Sequence, residues 1–170
     1  YWLRTNTDGD ITLSSSQQSS RSIPMINHFS GANTLEFSNG IHSSILYFGK
    51  DIPEGEEFSY SLPPTFPQMV FDARFTDNMR YTKDQGEISI INTNKYLSLS
   101  YSVNIHQGDY KEWVLTTESG EEYILTGTDE IVLNQETKSI IISKRVIIPQ
   151  AFALHQNYPN PFNPITTLKY

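Results

Sequence analysis

Met69-Val70-Phe71-Asp72-Ala73-Arg74-Phe75-Thr76 divides its side chains with a period of two. Met69, Phe71, Ala73 and Phe75 fall on one face of an extended chain; Val70, Asp72, Arg74 and Thr76 fall on the other. Tyr96-Leu97-Ser98-Leu99-Ser100-Tyr101-Ser102-Val103 repeats the pattern, with Leu97, Leu99, Tyr101 and Val103 inward and serines outward. An antiparallel sheet with one wet face requires this alternation. Further strands are predicted at Thr34–Ser38, Ser44–Phe48, Glu57–Leu62, Glu87–Asn92, Glu112–Thr117, Glu121–Thr126, Glu130–Leu133 and Ser139–Arg145. Asn39-Gly40, Glu118-Ser119-Gly120 and Asn134-Gln135-Glu136-Thr137 read as hairpin connections between neighbouring runs. Nowhere do apolar residues recur at helical spacing over three turns with caps. Many short strands without helices predict a β-sandwich.

Two stretches punctuate the chain. Ser14-Ser15-Ser16-Gln17-Gln18-Ser19-Ser20 is polar and of low complexity, and reads as a long surface loop or, the favoured reading, a linker after an upstream domain. Ser61-Leu62-Pro63-Pro64-Thr65-Phe66-Pro67 lacks ladder donors at its prolines, which predicts an extended crossing from one sheet to the other. The chain starts at Tyr1 and reads as cut from a longer protein.

Bulk composition excludes several classes. Of 170 residues, 37% are hydrophobic and 18% charged, enough apolar material for a core. The net charge of −7 offers no basic stripe for nucleic acid, and no run reaches the length of a membrane span. Cysteine is absent, so no disulfide framework or thiolate metal site can form. The four histidines, His28, His42, His106 and His155, stand far apart in unrelated contexts. No zinc motif, nucleophile elbow or phosphate loop is present, and neither a catalytic residue nor a cofactor is expected. Asp8, Gly9 and Ile11 match part of a calcium loop. However, Arg4 and Ser15 stand where ligands are required, so an Asp-Gly turn is the better reading.

The end of the chain reads Gln156-Asn157-Tyr158-Pro159-Asn160-Pro161-Phe162-Asn163-Pro164, then Ile165-Thr166-Thr167-Leu168-Lys169-Tyr170. Its prolines restrict three dihedrals, its asparagines can replace missing amide donors, and Tyr158 and Phe162 supply apolar anchors. With the lead-in Ile148-Pro149-Gln150-Ala151-Phe152, this word resembles the opening of the type A C-terminal sorting domain of the type IX secretion system. The resemblance covers about residues 149–170, and the family's later glycine-rich turns and lysine-bearing strand are not matched. It implies an immunoglobulin-like module read by outer-membrane secretion machinery, hence a secreted or cell-surface protein of a Bacteroidetes-type bacterium.

The expected architecture is therefore all-β. Residues 1–22 would end an upstream domain and its linker, and 23–148 would form an antiparallel immunoglobulin-like sandwich. Residues 149–170 would be the truncated first strand of a second, sorting domain. The expected role is non-catalytic: structural, spacer or adhesive. The alternative is a carbohydrate-binding accessory module of a secreted hydrolase that contacts cell-surface polysaccharide. For that role Tyr96, Tyr110 and Trp113 are the candidate aromatic platform, although Trp113 with Tyr123 on a hairpin also suits a core pair.

Overall fold

In the computed structural model, which describes residues 8–10, 12, 27–104 and 111–147, ten strands form two five-stranded sheets. In chain order they are β1 (Asn33–Ser38), β2 (Ser43–Phe48), β3 (Phe71–Phe75), β4 (Tyr81–Thr82), β5 (Gly86–Asn92), β6 (Ser98–Ser102), β7 (Lys111–Thr117), β8 (Glu122–Leu125), β9 (Thr128–Val132) and β10 (Ser139–Val146). One sheet has the order β4-β2-β1-β6-β9 and the other β3-β5-β10-β7-β8. All neighbours are antiparallel except β2 and β4. The protein is an all-β sandwich.

Alternation builds the core. Leu35 and Phe37 of β1, Leu46 and Phe48 of β2, and Leu99 and Tyr101 of β6 form one face. Across it lie Phe75, Ile88, Ile90, Leu115, Ile140 and Ile142 from the second sheet, in one buried cluster. Each large aliphatic or aromatic side chain so enclosed contributes about 1.5–3 kcal/mol against chain entropy. The turns follow their chemistry. Gly40 has φ +84° and precedes Ile41 between the paired residues Asn39 and His42, while Gly120 has φ +86° and closes the β7–β8 loop. Both are left-handed positions where glycine carries little steric cost.

Four expectations need correction. Glu57–Leu62 is not a strand: Glu57–Tyr60 is a 3-10 turn, followed by one bridge from Ser61 to Met79. Its alternation is genuine, but Gly55 on one side and Pro63-Pro64 on the other leave no room for a ladder. Asn134–Thr137 is not a hairpin, because β9 pairs with β6 in one sheet and β10 with β5 and β7 in the other. Thr76 leaves the sheet for a turn with Asp77 at φ 65° and Asn78 at φ 59°, residue types that tolerate the left-handed region. Finally, Arg74 on the supposed wet face is only 5% exposed. Its Nε donates to Asp72, and its Nη1 donates to Pro63 O at 2.5 Å and Asn78 Oδ1 at 2.9 Å. The proline segment thus passes over β3 on its way between sheets, and the guanidinium satisfies a carbonyl that no strand would.

The sandwich makes opposite demands on two apolar side chains. Phe37→Ala, at a site with 0% exposure, should cost about 3–5 kcal/mol in urea unfolding. Val132→Ala, at 68% exposure, should stay within about 0.5 kcal/mol. Equal losses at the two positions would mean that the inward faces do not form the core.

Candidate functional site

The connections Asn39–His42, Thr93–Leu97, Glu118–Glu121 and Leu133–Lys138 gather at one end of the sandwich. The last three border an open groove of about 1010 Å³ lined by Asn92, Asn94, Lys95, Ser119, Glu136 and Thr137, among others. Side chains hold these loops. Asn92 Oδ1 accepts the Asn94 amide at 3.0 Å, and Asn92 Nδ2 donates to Tyr96 O at 3.1 Å. Asn94 Nδ2 donates to Asn39 O at 3.3 Å, and Asn39 Oδ1 accepts the Ile41 and His42 amides at 3.0 and 2.8 Å. Glu118 takes the Lys138 and Ser139 amides at 3.1 and 2.8 Å, and Asn134 Oδ1 takes that of Glu136 at 3.0 Å. These asparagines and Glu118 substitute for ladder partners where the chain turns or changes sheets. Lys95, Gln135 and Glu136 keep side chains without partners among the described residues, so the groove offers polar contacts of both signs.

Of the expected aromatic platform, the described residues Tyr96 and Trp113 are not brought together. Tyr96 is 45% exposed beside this end, its ring 3.7 Å from where a Cβ on Gly40 would stand. Trp113 lies toward the other end, opposite Lys144 and Leu125, and is 7% exposed. It meets Phe48 edge-on at 4.7 Å, and Lys144 Nζ stands 4.7 Å from its ring centroid. Trp113 is thus a core residue roofed by a cation, not a sugar platform. Tyr110 and the motif Gln156–Pro164 lie outside the described residues, as do the Ser14–Ser20 linker, His106 and His155. Asp8, Gly9 and Asp10 are exposed, and Arg4, Ile11 and Ser15, the other positions weighed for a calcium loop, lie outside the described residues.

Sequence reading missed a second cluster. Phe29 stacks on Tyr47 at 4.0 Å and 8°, and tilts against Tyr60 at 4.2 Å and Tyr81 at 6.1 Å. Tyr60 meets Tyr81 edge-on at 6.1 Å, the His28 amide donates to Tyr60 Oη at 3.3 Å, and His28 Nε2 pairs with Glu56. Four segments contribute to this corner beside the short β4, so no local periodicity could reveal it. Burial first, then the carboxylates of Glu57 and Asp51 and neighbouring Tyr60, raise the Tyr81 hydroxyl above the ordinary tyrosine pKa.

Fold and site together define the class: an all-β sandwich whose loop end is braced by amide and carboxylate side chains. The chain matches no family model, and no curated protein or solved structure matches it.

Two measurements probe these contacts. At Gly49, φ +78°, an added Cβ would stand 2.7 Å from Asn33 Nδ2 and 2.9 Å from Trp113 Cζ2; at Gly120 it would meet nothing within 4 Å. Both alanine variants bear the left-handed strain of about 1–2 kcal/mol, and Gly49→Ala should lose about 1–3 kcal/mol more by overpacking. Equal chemical-denaturation midpoints would refute the close approach at Trp113.

The second concerns pH. Since folding raises the Tyr81 pKa, it favours the protonated phenol. The unfolded chain ionises first, near pH 10, so this contribution is complete below that value and declines as pH rises through the folded pKa. Tyr81→Phe keeps the ring and should flatten the decline in urea midpoint between about pH 9 and 11. Parallel profiles for the two proteins would exclude Tyr81 as its source.

Proposed function

We propose that this chain belongs to the C-terminal region of an exported bacterial protein, with the sandwich as a non-catalytic spacer or adhesion module. In this reading, Gln156–Pro164 begins a type IX sorting signal and the protein is secreted or held at the cell surface. The observation that carries the proposal is that nine-residue word, placed after the sandwich and before the alternating Ile165-Thr166-Thr167-Leu168-Lys169-Tyr170. The braced loop end supports the spacer role. Asn39, Asn92, Asn94, Asn134 and Glu118 fix loop geometry, which suits a module that holds its neighbours apart. The partner implied is the outer-membrane secretion machinery.

A fluorescent passenger fused to the complete C-terminal region of the parent protein should reach the surface of a host with this secretion system. Replacing Gln156–Pro164 by a Gly/Ser sequence of equal length should retain the fusion in the periplasm. Unchanged surface display after replacement would overturn the sorting role.

A further inference from the structure

β4 covers β2 only at its end: Tyr47 N–H donates to Arg80 O and Gly49 N–H to Thr82 O, each at 3.0 Å. Because the Tyr47 amide points away from β1, the period of two turns those of Ile45 and Ser43 the same way. β3 packs close by, where Ser44 Oγ donates to Ala73 O at 2.9 Å, but no strand of the described residues pairs with these amides. The other edges are guarded. β9 carries Asp129 and Glu130, and β8 carries Glu122. Beside β3, Met79 O accepts the Phe75 amide and Pro63 O accepts Arg74. β2 reads Ser43-Ser44-Ile45-Leu46-Tyr47-Phe48, with neither a charge nor a proline to discourage another strand.

Beside this open edge lies a gap of about 460 Å³, lined by Ser43, Ile45, Tyr47, Leu62, Phe71 and Arg80, among others. We propose that it is a docking slot for a short extended peptide ending in a free α-carboxylate, which pairs with Ser43 and Ile45 and places that carboxylate on Arg80. Length favours a chain end. Arg80, whose carbonyl already serves Tyr47, closes one end, and the Asn39–His42 turn closes the other. The open span of roughly 13 Å takes three or four extended residues. Direction and charge favour a C-terminus. β4 runs parallel to β2, so a peptide in line with β4 points its C-terminal end toward Arg80. The Arg80 side chain is exposed and has no partner among the described residues, whereas neighbouring Asp72 is engaged by Arg74. A guanidinium facing a terminal carboxylate adds a charge-assisted bond to the backbone ladder. A second copy fits less well, because its β2 brings its own β4 against the turn. The slot is independent of the sorting proposal.

The test is an NMR titration of the full ¹⁵N-labelled chain with acetyl-Thr-Val-Thr-Val as free acid and as C-terminal amide. The acid should shift the Ser43 and Ile45 amides and bind at least about tenfold more tightly than the amide. Arg80→Gln should abolish that preference, while Arg80→Lys keeps part of it; dispersed core resonances verify folding in both variants. Equal binding of acid and amide, an acid preference that survives Arg80→Gln, or no shift at Ile45 would each overturn the proposal. So would Ile45 shifts that follow protein concentration without peptide, since a second copy would then be the occupant.

Discussion

Each sheet presents one apolar face, and neither face is tolerable in water, so the structure depends on their mutual burial. Leu35, Phe37, Leu46 and Phe48 cannot leave solvent unless Ile88, Leu115, Ile140 and Ile142 cover them, and the reverse holds equally. With no cysteine to restrict the unfolded chain, the core carries a burden that disulfides share in many small secreted domains. Phe48 against Trp113 illustrates the fit. The indole needs Gly49 beneath it, and a left-handed backbone there keeps the site free of a Cβ. Packing thus reaches back to fix a turn residue just beyond β2.

Mutual burial creates a second constraint at the crossings. A chain that leaves one sheet for the other abandons a ladder, yet its amides and carbonyls still require partners. Asn92, Asn94, Asn134 and Glu118 supply them at the loop end, and Arg74 supplies them where the proline segment passes β3. The Arg74–Asp72 pair is also largely withdrawn from water, with side-chain exposures of 7% and 15%. Removing either partner would leave the other poorly solvated, so the pair fixes the crossing's position more surely than it adds net stability. At these points polar side chains are joints of the fold.

Legibility in the sequence follows from locality. Strands such as Ser98–Ser102 and Phe71–Phe75 were readable because alternation is set by adjacent residues. The two-residue β4 has no period to read, and it exists only because β2 lies beside it. Asn134–Thr137 shows a subtler limit: the same turn-forming residues serve a hairpin or a crossing, and the difference lies in which distant strands pair. Trp113 was ambiguous for a similar reason. A period of two separates faces but does not say which face is covered, and Arg74 was misplaced by the same rule. The Phe29–Tyr47–Tyr60–Tyr81 corner joins distant segments and lay beyond any local reading.

Edges complete the logic of the sandwich. Two sheets that bury their inner faces still end in strands with unused hydrogen-bonding groups, which other chains with such groups can meet. Acidic side chains on β8 and β9 repel an approaching strand, and Pro63 with Met79 occupies the flank of β3. β2 is protected differently, by the shortness of its open stretch and by β3 packed close to it, where Ser44 Oγ donates to Ala73 O. Arg80 at one end and the Asn39–His42 turn at the other restrict the open edge to a few residues. A long strand from a misfolded neighbour cannot add there without displacing β4, whereas a short chain end can. Steric limits therefore replace charge at this one edge, and the same limits that hinder aggregation make the edge selective.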